Sequence, residues 1–240
     1  MSLVFYVVPF STANITSAVL DELEHALDKP LAERRKLSIE GGDTRTPLYL
    51  STINPNGRVP AIVHDGVAIW ESAAITMYLG ETFGVDVPRG TSEKDDDKAT
   101  SSSSLYPAPG PRRGEAMKWI VWGNTTLGAA GGRLADSLPA GTPGAAVVGS
   151  LDHIPESEQT EVGTQAQARR AKKDIATALR ILDGALDGKE YLLGRAYCLA
   201  DTHVWTFMSW LRVMGVDTES YANVKAWTAR VGARPALKKA

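Results

Sequence analysis

Hydrophobic positions in the N-terminal part of the chain alternate between the periods of strands and helices. Leu3 to Val8 is a continuous apolar run of strand length, the pattern of a strand buried on both faces. From Ile15 to Leu27 the apolar residues recur at the spacing of one helix face. Leu31 to Ile39 is predicted as a second strand, in which the apolar Leu37 follows the basic stretch 33–36. The region therefore begins as a strand, a helix and a strand.

Two turns and a helix start complete this region. The turn Asn54-Pro55-Asn56-Gly57 leads into Val59-Pro60, and a second turn at Asp65-Gly66 separates two short strands. An apolar helix then opens at Ala73, directly after Glu71-Ser72. A strand, helix, strand unit followed by a strand pair and a last helix is the order of a thioredoxin-like α/β domain.

The composition changes between Val85 and Pro111, where charged residues, serines and prolines predict a solvated linker or inserted loop. Beyond it the pattern is all-helical. A Gly/Pro/Ser-rich loop is predicted at Ser137 to Thr164, and a helix at Ala166 to Leu186. We therefore expect an α/β domain at 1–84, a linker at 85–111 and an all-α domain at 112–240.

The charge and the cysteine content exclude several classes of function. A net charge of −2 and a pI near 6.1 give no electrostatic case for nucleic acid or an anionic membrane. Cys198 is the one cysteine, which excludes an internal disulfide and a cysteine-based metal cluster. The four histidines have no metal-ligand spacing, so no metal is expected. Since no signal-peptide core or spanning segment is evident, the predicted location is cytoplasmic.

The segment around Val59 and Glu71 has a layout that suits a small peptide-like ligand. A cis Val59-Pro60 bond would turn the backbone N–H and C=O of Val59 toward an extended ligand. Glu71 and Ser72 would place a carboxylate and a hydroxyl beside a helix N-terminus, suiting one ammonium and one carboxylate. Each feature alone has a structural explanation, as a turn, an edge strand or an N-cap. The ordered combination is more specific.

These residues resemble the N-terminal half of the glutathione transferases. The resemblance implies that Val59 and Pro60 hold the cysteinyl backbone of glutathione, while Glu71 and Ser72 take its γ-glutamyl end. Arg58 could reach the glycyl carboxylate, although an arginine beside a turn is equally explained as a surface charge.

The turn after the first strand is the expected place for thiol activation. Ser11, directly after Phe10, resembles the catalytic serine of serine-type members, including plant and fungal ones. Thr12 occupies the position where bacterial beta-type members carry cysteine, and Asn14 is a further amide donor. All three are also good N-caps, which is the structural alternative. Ser11 is the leading donor, with Thr12 as the alternative that stays open at this point, and the exact transferase class is open too, with a fungal or bacterial-like member expected.

The second half resembles the family's helical domain more loosely. Because its first helix lines the electrophile pocket in similar proteins, Trp122 and Thr126 are substrate candidates together with Phe10, although helical aromatics are more often core. The positions Cys198 and Asp201 stand where the family has a hydroxyl residue and an acidic residue capping a buried helix. We expect a buried, inert thiol and a carboxylate that accepts backbone N–H groups.

The resemblance implies an enzyme that adds the glutathione thiolate to an apolar electrophile, with glutathione as co-substrate and a two-fold homodimer as the assembly. Two alternatives stay open. One is a non-catalytic glutathione-binding or scaffold protein of the same fold. The other is a glutathione-dependent peroxidase or ether-cleaving enzyme, which uses the same thiolate.

Overall fold

A four-stranded mixed sheet forms the centre of the N-terminal half. The computed structural model describes residues 2–38, 41–85, 104–139, 142–144 and 161–239. The strands are β1 Leu3–Val7, β2 Glu33–Lys36, β3 Ala61–His64 and β4 Val67–Trp70. Their order in the sheet is β2-β1-β3-β4, with β1 and β2 parallel and the other two pairs antiparallel. This is the predicted thioredoxin-like arrangement.

Helices flank the sheet and form the described part of the C-terminal half. The first three are α1 Ala13–Leu27, α2 Pro47–Thr52 and α3 Ser72–Phe83. The next five are α4 Pro111–Trp122, α5 Ala129–Ala135, α6 Glu161–Ala185, α7 Leu199–Val213 and α8 Ala222–Gly232. A π-helical segment, Gly123–Gly128, joins α4 to α5 without a break, and short 3-10 turns lie at Asp43–Arg45 and Pro235–Lys239.

Strand β2 is shorter than predicted. It lies within the predicted range 31–39 but consists only of the stretch Glu33–Lys36, with all four side chains exposed, and does not include the apolar Leu37. The strand lies at one edge of the sheet, pairing only with β1. Charged side chains on an edge strand hinder pairing with other chains, which explains why a polar segment occupies this position.

The predicted linker and loop lie partly outside the described residues, which omit 86–103, 140–141 and 145–160. Within the described parts, α4 begins at Pro111 and α6 at Glu161, so each helix starts slightly before the predicted end of the preceding segment. The domain limits at 84 and 112 stay predictions.

Helix α1 connects the two halves. It packs on α7, and buried residues from both helices belong to one continuous hydrophobic core, among them Leu20, Leu23, Val204 and Met208. Glu22 of α1 is almost fully buried and pairs with the guanidinium of Arg234 through two contacts of 2.7 and 2.9 Å. Because an unpaired charge is costly to bury, this ion pair fixes α1 against the C-terminal segment. The start of α1 is thereby held beside α7, where the candidate site lies.

Candidate functional site

A short turn shapes the entrance to Val59. Gly57 has φ of 61°, and a Cβ there would lie 2.6 Å from Nη1 of Arg45, so glycine suits the position. The carbonyl of Arg58 accepts hydrogen bonds from Asn54 Nδ2 and from the Tyr49 hydroxyl, both at 2.8 Å. These bonds fix the backbone, while the Arg58 side chain stays exposed.

The Val59-Pro60 peptide bond is cis, the form that would turn the Val59 backbone toward a ligand. The carbonyl oxygen of Val59 faces the turn after β1, where the Thr12 hydroxyl donates to it at 3.1 Å. The backbone of the β3 segment and the start of α1 therefore meet at this point, with Thr12 half-buried between them.

Glu71 and Ser72 lie at the N-terminus of α3. Glu71 is exposed and has φ of 71° and ψ of 117°, a conformation that non-glycine residues seldom adopt. Ser72 is the first residue of the helix and is buried. Free backbone N–H groups and the helix dipole make this end of α3 favourable for a negative charge.

Ser11 and Thr12 differ sharply in their surroundings. The Ser11 hydroxyl is buried, donates to the Val8 carbonyl at 2.7 Å and accepts from the Ala13 N–H at 3.1 Å. Both bonds lie within its own turn, so this hydroxyl stabilises the start of α1. Thr12 reaches across to Val59, and Asn14 is exposed. The two bonds of Ser11 are those expected of a capping hydroxyl, and a role of either residue toward a thiol stays a prediction.

A chain of hydrogen bonds lies behind Ser72. Asn124 Nδ2 lies 2.9 Å from Ser72 Oγ, and Asn124 Oδ1 lies 2.7 Å from Nε2 of His203. The other ring nitrogen of His203 lies 2.9 Å from the Thr76 hydroxyl. His203 is fully buried, and this desolvation lowers its pKa to about 3, so the ring is neutral.

Two adjoining cavities contain these residues. The first, of about 170 Å³, is called the groove and is lined by Thr12, Asn54, Arg58, Val59, Pro60, Glu71, Ser72, Asn124, Gly128, Phe207 and Trp210. The second, of about 570 Å³, is called the apolar cavity and is lined by Pro9, Phe10, Ser11, Thr12, Asn14, Ile15, 142–144, Thr206, Phe207, Ser209, Trp210 and Val213. Thr12, Phe207 and Trp210 line both, so they form the junction between the cavities.

Two family models match this chain. The model of the glutathione S-transferase N-terminal domain matches residues 27–82, and that of the C-terminal domain matches residues 147–235. Together they cover more than half of the chain. The chain belongs to the glutathione transferase family.

Individual relatives of this chain are distant. The disulfide-bond oxidoreductase YghU of Escherichia coli is 24% identical over 198 residues, which are 78% of this chain but only 56% of the relative. A glutathione transferase family member from Pseudomonas fluorescens, solved with two glutathione bound, has a TM-score of 0.71 at 21% identity, covering 99% of this chain and 91% of the other. The transferase URE2P6 from Phanerochaete chrysosporium, solved with oxidized glutathione, has a TM-score of 0.71 at 20% identity, covering 99% and 94%.

The transferase fold brings most of the predicted site residues together. Arg58, Val59, Pro60, Glu71 and Ser72 all line the groove. Ser11, Thr12, Asn14 and Phe10 line the apolar cavity, and Phe10 is 80% exposed with φ of 58°.

Trp122 and Thr126 lie elsewhere. Trp122 packs edge-on against Trp119, with ring centroids 5.1 Å apart, and neither Trp122 nor Thr126 lines the groove or the apolar cavity. The continuous π-helical segment after α4 turns other residues inward, and Asn124 faces the groove instead.

Sequence reasoning missed the residues that α7 and the π-helical segment contribute to the groove. Phe207, Trp210 and Asn124 line the groove, yet each comes from a region with no local motif. A glycine within a predicted helix, Gly128, was the one sequence feature that could have indicated a close contact. In the structure, a Cβ at this position would lie 2.7 Å from the Phe207 ring. That glycine lets Phe207 approach the junction closely.

Cys198 and Asp201 have the predicted structural roles. Cys198 is buried, and desolvation raises the pKa of its thiol well above the usual value. The Asp201 carboxylate is fully buried and accepts N–H groups from Leu192, Cys198 and Trp227 at 2.9 to 3.0 Å. Both residues stabilise the start of α7.

The described residues contain neither a candidate metal cluster nor a candidate membrane-spanning helix. No cluster of three or more His, Cys, Asp or Glu side chains in that part of the chain has an arrangement that could hold a metal ion. Nor does any helix among those residues combine the length and hydrophobicity needed to cross a membrane.

Proposed function

We propose that this protein binds glutathione in the groove and adds its thiolate to an electrophilic carbon held in the apolar cavity. The observation that carries the proposal is the junction: Thr12 lines both cavities and contacts the carbonyl of Val59, which precedes the cis proline. A thiol placed there would face both its activating donor and its reaction partner. Related structures solved with glutathione support the choice of ligand.

Each end of glutathione has a complementary group in the groove. The γ-glutamyl ammonium would lie at the Glu71 carboxylate, and its carboxylate at Ser72 and the α3 N-terminus. The cysteinyl backbone would pair with the N–H and C=O of Val59, and the exposed Arg58 would receive the glycyl carboxylate. This orientation directs the thiol toward Thr12.

We assign thiol activation to Thr12 rather than Ser11. The Ser11 hydroxyl already uses its proton on the Val8 carbonyl. The Thr12 hydroxyl donates to Val59 C=O, the same acceptor that the cysteinyl N–H of bound glutathione would take. Thr12 can then turn its proton to the sulfur, where a hydrogen bond favours the thiolate over the thiol. Asn14, the exposed second residue of α1, is a further donor for that charge.

The reaction partner would be flat and mostly apolar. Phe10, Phe207, Trp210 and Val213 supply the apolar walls, and the indole N–H of Trp210 is tied to the Gly144 carbonyl at 3.0 Å, which holds the ring in place. The thiolate sulfur would form a bond to the electrophilic carbon, and a leaving group such as a halide would depart with the bonding electrons. An aryl halide is therefore the first substrate to test.

Disulfide reduction is the second candidate, since the E. coli relative is named a disulfide-bond oxidoreductase and the Pseudomonas structure holds two glutathione. The lone cysteine is buried, so no protein thiolate is available for a mixed disulfide. Two glutathione thiolates would act in turn. The first would attack the substrate disulfide and release one thiol, and the second would release the other thiol and form oxidised glutathione.

A homodimer remains part of the proposal, with the first domain of one chain meeting the helical domain of the other. Edge strand β4 exposes Val67 and Trp70, and α4 exposes Val121. Sedimentation at micromolar concentration tests this point, and a monomer would refute it.

The test of the proposed function is retention on glutathione-agarose followed by turnover of an aryl halide and of a small disulfide. Retention with aryl halide turnover supports conjugation. Retention with no turnover of either would replace the enzyme by a glutathione-binding or scaffold protein. Disulfide reduction that Cys198→Ser abolishes would contradict the cysteine-free chemistry.

A further inference from the structure

The hydrogen-bond chain behind Ser72 joins three separate parts of the fold. It runs from Thr76 on α3 to His203 on α7, then to Asn124 on the π-helical segment, and returns to Ser72 at the start of α3. Ser72 and Asn124 line the groove, whereas Thr76 and His203 are completely buried. Two groove residues are thus held by two buried residues that line neither the groove nor the apolar cavity.

The direction of the protons along this chain follows from the chemistry of its members. Asn124 Oδ1 is only an acceptor, so His203 must donate to it from Nε2–H. A neutral imidazole carries one N–H, which leaves Nδ1 as an acceptor for the Thr76 hydroxyl. Asn124 Nδ2 is only a donor, and at 2.9 Å it gives a hydrogen to Ser72 Oγ.

The consequence falls on Ser72. Asn124 Nδ2 occupies an acceptor site on the Ser72 oxygen at 2.9 Å, whereas the Ser72 hydroxyl itself donates only at the long distance of 3.4 Å, to Asn124 Oδ1. Its hydrogen is therefore available to a closer acceptor in the groove. The second hydrogen of the Asn124 amide is also a donor at the groove wall. If the hydrogen bonds ran in the opposite direction, Asn124 Oδ1 would take the place of Nδ2 and accept the Ser72 hydrogen. The Ser72 oxygen would then face the ligand carboxylate as an acceptor.

The surroundings of His203 hold the ring in place. Its edge packs against Phe207, with ring centroids 5.6 Å apart, and a Cβ on Gly123 would lie 3.3 Å from its Cδ2. The close approach of Gly123 brings Asn124 within reach of the ring nitrogen.

We infer that Asn124, oriented by His203 and Thr76, is a positioning residue that makes Ser72 a hydrogen-bond donor and so selects a carboxylate in the groove. This inference rests on the proposed function, in which that carboxylate belongs to the γ-glutamyl group.

The decisive variant is Asn124→Asp, which keeps the shape of the side chain. Its carboxylate still accepts from His203, but it also accepts the Ser72 hydrogen and places a negative charge beside the ligand carboxylate. We expect the affinity for glutathione to fall about a hundredfold. Cysteinylglycine, which lacks the γ-glutamyl group, should bind the variant and the wild-type protein within about twofold of each other.

Two further variants separate positioning from charge and from folding. Thr125→Asp adds the same charge one residue along, at an exposed side chain outside both cavities, and should leave the glutathione affinity unchanged. Asn124→Ala adds no charge and should weaken glutathione about tenfold while sparing cysteinylglycine. Equal losses for both ligands in either Asn124 variant would overturn the inference, because a merely structural residue affects them alike.

The direction of the hydrogen bonds can be measured separately, through the tautomer of His203. Nitrogen-15 NMR of histidine-labelled protein, with the His203 signals assigned by His203→Gln, should show the Nε2–H tautomer and no imidazolium at pH 6 to 8. An Nδ1–H tautomer would overturn the inference. A wild-type protein that binds no glutathione would refute the proposed function instead, and the tautomer would still decide the direction of the chain.

Discussion

The groove and the apolar cavity share a wall but are built differently. Most of the groove comes from one stretch of chain, 54–72, whose backbone is fixed by a turn, a cis proline and the start of α3. The apolar cavity is assembled from the turn after β1, the segment 142–144 and one face of α7. The charged residues Arg58 and Glu71 line the groove, whereas none of the residues that line the cavity is charged.

Both cavities carry a residue with an unusual backbone conformation. Glu71 in the groove has φ of 71°, and Phe10 in the cavity has φ of 58°. Each such position costs on the order of 1–3 kcal/mol, which the surrounding structure must offset. The difference between the two regions suggests a division of work: the groove fixes one ligand by its polar ends, and the cavity accepts a range of apolar partners.

The largest effect is expected at the junction. Thr12→Val removes only a hydroxyl, and should lower aryl halide turnover roughly ten- to a thousandfold because one hydrogen bond to the thiolate, worth ~1.5–4 kcal/mol, is lost. Ser11→Ala is the matched comparison. It should destabilise the start of α1 by about 1 kcal/mol, measured by urea unfolding, with a smaller effect on turnover. If Ser11→Ala alone abolished turnover in folded protein, the two roles would have to be exchanged.

A change at Glu71 should affect the groove alone. Glu71→Ala removes the partner of the ligand ammonium and should weaken glutathione binding by about 2 kcal/mol in calorimetry. The KM for the electrophile at saturating glutathione should not change. The variant should still fold, since removing one acidic residue from a helix N-terminus lowers the stability by only about 0.3–1 kcal/mol. An unchanged glutathione affinity would refute the assignment of this end of the groove.

Low pH should reduce the stability of the protein through His203, which lies behind the groove wall. Its native pKa of about 3 lies below the ~6.5 of an unfolded histidine, so the unfolded chain takes up a proton that the native protein does not. The stability that the neutral ring contributes is complete above pH ~6.5 and is lost as the pH falls toward 3, by about 1.4 kcal/mol per unit. Urea unfolding between pH 7 and 5 measures this slope, and His203→Gln should reduce it. An identical slope in the variant would contradict the buried neutral ring.

The smallest effect is expected at the cavity rim. Phe10→Ala should raise the KM for an aryl halide by about fivefold, since part of one apolar contact is lost, while the glutathione Kd stays the same. Ile181→Ala, at an exposed apolar residue of α6 outside both cavities, is the control. A loss of glutathione affinity in Phe10→Ala would show that the two cavities do not act separately.

The difference between the groove, built mostly from one stretch of chain, and the cavity, built from distant segments, explains which site residues the sequence could predict. Turn chemistry and an apolar helix start are local signals, so Val59-Pro60, Glu71 and Ser72 could be named from the sequence. Residues that reach the site from α7 carry no such signal: His203 and Trp210 are helical residues whose partners lie far along the chain. Trp122 was predicted as a pocket residue from its helix, but its ring packs on Trp119. The edge strand β2 is shorter than the predicted range 31–39, because an exposed strand has no apolar pattern that marks its ends.

The most direct test of the account is the pKa of the glutathione thiol when bound, measured from the ultraviolet absorbance of the thiolate across a pH titration. We expect a value about one to two units below the ~8.5 of a free thiol, because one hydrogen bond to an ionised group contributes about 1.5–3 kcal/mol. In Thr12→Val the value should return toward that of the free thiol, and in Ser11→Ala it should stay low. A thiol pKa that is unshifted in the wild-type protein, or that responds to Ser11→Ala but not to Thr12→Val, would contradict the assignment of Thr12 as the activating residue.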